Sequence, residues 1–135
     1  MRPTNTSGGD HHCPFCSLPA ERIVHSHPLA LALRDGYPIS PGHTLIIPRR
    51  HVASLTDLTP DEACALWALM AEARAALTAE LHPDAFNIGI NDGLAAGQTV
   101  MHLHVHLIPR YHGDRADPRG GVRWIVPEKA AYWKC

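Results

Sequence analysis

The sequence predicts an α+β domain, with short apolar runs bounded by turn signals and one long helix inserted among them. Three observations carry that expectation. Leu29–Leu33 and His43–Ile47 are compact apolar runs closed by Asp35-Gly36 and by Pro48. A helical period sets in after Thr59 and stops at Pro83. His102–Ile108 alternates imidazole and aliphatic side chains with the period of two that belongs to a strand.

The elements follow in order. Residues 1–12 are polar and without periodicity, and are expected to form a flexible N-terminal tail. Leu29–Leu33 and His43–Ile47 are the first two strands, joined by a loop rich in Pro and Gly. Thr59-Pro60-Asp61-Glu62 reads as a capping box with Pro at the first helical position, opening a helix over 59–81. Leu66, Leu69, Met70, Ala73, Leu77 and Leu81 make its apolar stripe. Phe86–Ile90 is the next strand, then an Asn91-Asp92-Gly93 turn, then a strand over Thr99–Ile108. Val122–Val126 is a further strand candidate. About five antiparallel strands and one long helix result.

Composition narrows the function. The 135 residues are enough for one domain with its own core. Twelve Lys and Arg against 13 Asp and Glu give a formal net charge of -1, which removes the basic surface that nucleic-acid binding needs. With no membrane-length apolar run and no secretion signal, a soluble cytoplasmic protein is expected. The unusual count is 11 His, which points to imidazole chemistry or metal binding.

On a strand, His102, His104 and His106 share one face, spaced about 6.5–7 Å apart, while Leu103, Val105 and Leu107 pack into the core. A single zinc held by all three is awkward at that spacing. Cys13-Pro14-Phe15-Cys16, in a chain without a secretion signal, reads as a metal half-site or a redox pair. Its polar, Gly-containing leader argues against the redox pair. The small residues from Gly93 to Gly97 let backbone N–H groups approach an anion, and Gln98 and Thr99 add polar side chains suited to a phosphoryl group.

These residues resemble the histidine triad (HIT) superfamily. His102-Leu-His104-Val-His106-Leu-Ile108 matches its His-φ-His-φ-His-φ-φ signature, where φ is apolar. Asp35, Gly42–Pro48, His51, Asn91 and Gly97–Val100 stand in the expected order. The resemblance spans residues 13–110, the expected HIT domain, with 111–135 as a variable extension of the same domain. It implies a HIT-like fold, a two-fold homodimer, and a nucleotidyl hydrolase cleaving the α-phosphate linkage of nucleoside monophosphate conjugates such as diadenosine tetraphosphate. His104 would be the nucleophile that forms a nucleotidyl-histidine, with His106 and His43 beside it. Asp35 would bind the ribose, and Asn91, Gly97, Gln98 and Thr99 the phosphates and leaving group. Cys13, Cys16, His51 and His102 would hold one structural zinc, and no organic cofactor is implied. Two further readings stand beside this one: an adenosine phosphoramidate hydrolase, and a non-catalytic zinc- and nucleotide-binding interaction module.

Overall fold

The computed structural model describes residues 13–134. The expected tail over 1–12, with His11 and His12, and Cys135 lie outside the described residues. Five strands form one antiparallel sheet: β1 (Ile23–Ser26), β2 (Ala30–Arg34), β3 (Thr44–Pro48), β4 (Ala85–Gly89) and β5 (Val105–Arg110), in the order β1-β2-β3-β5-β4. Helix α1 (Pro60–Leu81) crosses between β3 and β4, and a single-turn helix, α2 (Pro127–Ala130), lies near the C-terminus. Among the described residues, no helix is long and apolar enough to cross a membrane.

The sheet is covered on both faces, which is why β2 and β3 read as continuous apolar runs. Ala30, Ala32 and Ile46 meet Leu66, Leu69, Met70, Ala73 and Leu77 of α1. The small alanines of β2 let the helix come close. On the other face, Leu31, Leu33, Leu45 and Ile47 pack with Phe15, Leu18 and Ile23 of the N-terminal segment. The segment carrying the two cysteines is thus a layer of the fold.

The helix begins as its sequence requires. The Thr59 hydroxyl accepts from the Glu62 N–H, and Glu62 Oε1 accepts from the Thr59 N–H at 2.9 Å. Arg50 adds two bonds to the same carboxylate, Nη2 to Oε1 at 2.7 Å and Nε to Oε2 at 3.1 Å. These bonds hold the Glu62 carboxyl down at about 2. His82, to which the sequence assigns no role, closes the helix in the left-handed conformation at φ 52°.

Two expected strands differ. Val122–Val126 is not a strand; Gly121–Ile125 winds into a 3-10 turn. Arg123 donates to the Ala130 and Lys129 carbonyls and Trp124 donates to the Arg119 carbonyl, so local bonds satisfy the backbone there. The fifth strand is Ile23–Ser26 instead. The strand expected over Thr99–Ile108 begins only at Val105 and runs to Arg110. Its pairing with β3 covers Thr44–Ile46 alone. Beyond that point, the Pro48 carbonyl accepts from the His102 ring at 2.8 Å and the Leu103 N–H donates to the Val52 carbonyl at 2.7 Å. Those bonds take the place of a ladder.

Candidate active site and metal centre

Because the chain straightens into β5 only after His104, the three histidines divide between two sites. His102 turns toward the cysteines, while His104 and His106 line a cavity of about 760 Å³ on the face opposite α1. Of the aliphatic residues that alternate with them, Leu103 and Leu107 are fully buried in the helix-facing core, and Val105 is half-buried against it.

Each ring of this group has its tautomer set by a neighbour. His104 Nδ1 lies 2.8 Å from the His102 carbonyl, which only accepts, so Nδ1 carries the proton and Nε2 keeps its lone pair. His43, just before β3, receives the Ile39 N–H at Nδ1 (3.2 Å), so its proton is on Nε2. That Nε2 is 2.9 Å from His106 Nδ1 and 3.3 Å from Asp35 Oδ2. His106 therefore accepts at Nδ1 and carries its proton on Nε2. The register brings them together: Leu45 pairs with His106, and His43 stands two residues before Leu45 on the same face.

Burial pushes the His106 pKa below its ordinary value, with the neighbouring His104 and His43 acting in the same direction. Burial also lowers that of His43, against the opposing pull of Asp35. Both rings are neutral at pH 7. By spacing alone, Asp35, His43 and His106 can hold a metal ion. The proton that the Ile39 N–H forces onto His43 Nε2 occupies the position a metal would need.

The other predicted residues fall into two sets. Asp35, Asn91 and Thr99 line the cavity. The Asp35 carboxylate touches His43 and accepts the Tyr37 N–H at 2.8 Å. Gly97 and Gln98 are not among the lining residues. Gln98 is only 4% exposed, and its amide is fully used: Oε1 accepts from Gly93, and Nε2 donates to the Ala53 and Val100 carbonyls. It clamps the Gly93–Gly97 turn and has no donor left for a phosphate.

Sequence reasoning missed Phe15. Its ring meets His104 edge-on at 5.3 Å and His102 at 5.8 Å, and it lines the cavity. Its place between the two cysteines was the available signal.

Those cysteines form the second cluster. His102 Nε2 donates to the Pro48 carbonyl, so its Nδ1 lone pair faces Cys13 Sγ at 3.4 Å, Cys16 Sγ at 3.6 Å and His51 Nδ1 at 3.2 Å. Cys16 Sγ is 3.2 Å from His51 Nδ1. Tetrahedral zinc with ordinary Zn–S and Zn–N bonds sets sulfur–nitrogen separations of about 3.6 Å and nitrogen–nitrogen separations of about 3.3 Å. Cys13, Cys16, His51 and His102 can therefore hold a metal ion, and two thiols with two imidazoles are a zinc donor set.

The chain superposes on a Zn-bound histidine triad family protein from Mycobacterium smegmatis with a TM-score of 0.71 and 38% identity, covering 80% of this chain and 81% of that one. It is 42% identical over 101 residues to an asymmetrical bis(5'-nucleosyl)-tetraphosphatase of Schizosaccharomyces pombe, covering 74% of this chain and 56% of that protein. It is 39% identical over 107 residues to an AP-4-A phosphorylase of Mycobacterium tuberculosis, 75% of this chain and 55% of that protein. Residues 19–113 match the HIT domain model, and this chain belongs to the HIT family.

Proposed function

We propose that this protein hydrolyses dinucleoside polyphosphates at the α-phosphate through a nucleotidyl-histidine on His104. The observation that carries the proposal is the His104 Nδ1–His102 carbonyl bond at 2.8 Å, which leaves Nε2 as the nucleophilic nitrogen beside neutral His106. In the first step His104 Nε2 bonds to the α-phosphorus and the bond to the bridging oxygen breaks. The ring becomes cationic, and its Nδ1–H donates more strongly to the His102 carbonyl. The departing phosphate leaves as an anion that accepts from His106 Nε2–H. In the second step water bonds to phosphorus and the Nε2–phosphorus bond breaks. The water proton passes to solvent and His104 returns neutral.

The same electrostatics favour a phosphate over an amine as leaving group. His106 and His43 are held neutral, so they donate hydrogen bonds without supplying a full proton. A polyphosphate departs without one, whereas the amine of a phosphoramidate needs it. Asn91 and Thr99 supply polar contacts at the cavity wall. Zinc on Cys13, Cys16, His51 and His102 would be structural, with no open position for substrate.

The test is AMP release from diadenosine tetraphosphate, beside adenosine phosphoramidate, with His104→Ala as the blank. A loss of about 10³-fold or more in the variant is expected for a missing nucleophile. Equal turnover by variant and wild type overturns the mechanism. Preference for the phosphoramidate would instead identify the other hydrolase. Faster cleavage on adding inorganic phosphate, with ADP as product, would identify a phosphorylase. Nucleotide binding without cleavage would leave a binding module.

A further inference from the structure

We infer that a second cavity, built by the C-terminal segment, seats the departing half of a dinucleoside polyphosphate; this rests on the hydrolase reading above. The cavity has a volume of about 770 Å³, close to that of the first. The two share Ile39, Asn87, Ile108 and Val122 as lining residues, so they adjoin on one face of the sheet. Strand β5 gives their order. His106, Ile108 and Arg110 alternate along one face: His106 lines the first cavity, Ile108 both, and Arg110 the second. Four residues of strand separate His106 from Arg110 by about 13 Å. A bridge of several phosphates crosses that distance, and a small leaving group does not.

The lining chemistry suits a nucleotide. Trp124 offers an exposed flat ring on which any base can stack, and Trp133, one face of which the Arg119 guanidinium covers, adds indole surface to the wall. Both are fixed in place, Trp124 by donating to the Arg119 carbonyl at 2.8 Å and Trp133 by the Arg119 guanidinium 4.7 Å over its ring. Charge points the same way. Asp114 is neutralised by Arg110, and Asp117 by Arg119. Arg115 and Lys134 also line the cavity and act on Asp114 and Asp117 at longer range, so Arg110, Arg115 and Lys134 outweigh the two carboxylates of the lining. The second cavity is therefore net cationic, as the anionic half of such a substrate requires.

The test compares two substrates in one variant. Arg115 is exposed, so Arg115→Glu leaves the core untouched. The ratio of kcat/KM for diadenosine tetraphosphate to that for adenosine phosphoramidate should fall about tenfold, carried by KM for the dinucleotide. Arg115→Ala should lower it about threefold, since an exposed charge contact is worth little. An unchanged ratio, whether both activities hold or both fall, overturns the subsite. If the wild type cleaves neither substrate, the hydrolase reading is what fails, and equilibrium binding then decides. Weaker binding of diadenosine tetraphosphate, with AMP binding unaltered, supports the subsite; equal loss for both, or no loss, overturns it.

Discussion

At the residue scale, the site is governed by which nitrogen of each imidazole holds the proton. Asp35 shows how this can be tested. Its carboxylate is expected from the family to hold a ribose, yet it also lies 3.3 Å from His43 Nε2 and opposes the lowering of both the His43 and His106 pKa values. Removing its charge should lower both further. In Asp35→Asn, the acid limb of the kcat–pH profile should therefore move to lower pH than in the wild type. A role confined to the ribose would raise KM and leave that limb where it was. The stability sign follows from the same shifts. Lowered folded values mean that the unfolded chain binds more protons below about pH 6.5, so stability is full above that pH and is lost as pH falls through the folded values. The identity of the three histidines was legible because alternation is written in the sequence. Their tautomers were not, since the Ile39 N–H and the His102 and Pro48 carbonyls are backbone groups placed only by the fold.

At the element scale, α1 and its cap were legible because Thr59, Pro60 and Glu62 act within one turn. The extent of β5 was not, because a strand lasts only as long as its partner, and β3 stops offering a ladder at Ile46. Strand β1 was missed for a related reason. Ile23-Val24-His25-Ser26 is short and runs into His27-Pro28, and it is a strand because β2 pairs with it. The turn into β3 shows how tightly helix and sheet are set. Gly42 has φ +87°, and a Cβ there would come within 2.8 Å of Leu77 Cδ2 and Leu81 Cδ1 and 3.2 Å of Pro109 Cγ. Gly42→Ala combines left-handed strain with overpacking and should cost about 2–4 kcal/mol. Thermal unfolding checks this: a fall in Tm of roughly 10 °C is expected for a chain of this size. A fall under about 2 °C would show that α1 yields more easily than the burial of Leu77 suggests.

At the scale of the whole molecule, the cysteine knuckle joins stability to the reaction site. Cys13 and Cys16 anchor the layer that covers Leu31, Leu33, Leu45 and Ile47, and Phe15 between them packs on His104. His102 offers its ring to the metal cluster and its carbonyl to His104. A zinc ion held by these four residues would stabilise the folded state, because the ligands come together only there. Removing it with a chelator should lower Tm and make Cys13, otherwise buried, reactive to thiol reagents. It should also raise KM for the nucleotide as Phe15 leaves the wall, and added zinc should restore all three. The two-fold homodimer that the family resemblance implies is checked on the same samples. Strand β4 ends the sheet with open backbone groups on its outer side, a position that favours pairing with a second copy. The knuckle lies on a face of the sheet and not on that edge. Loaded and stripped protein should therefore both sediment at twice the chain mass if the β4 edge makes the dimer. Dissociation on stripping would place the contact at the knuckle, and a single-chain mass in both samples would remove the dimer altogether.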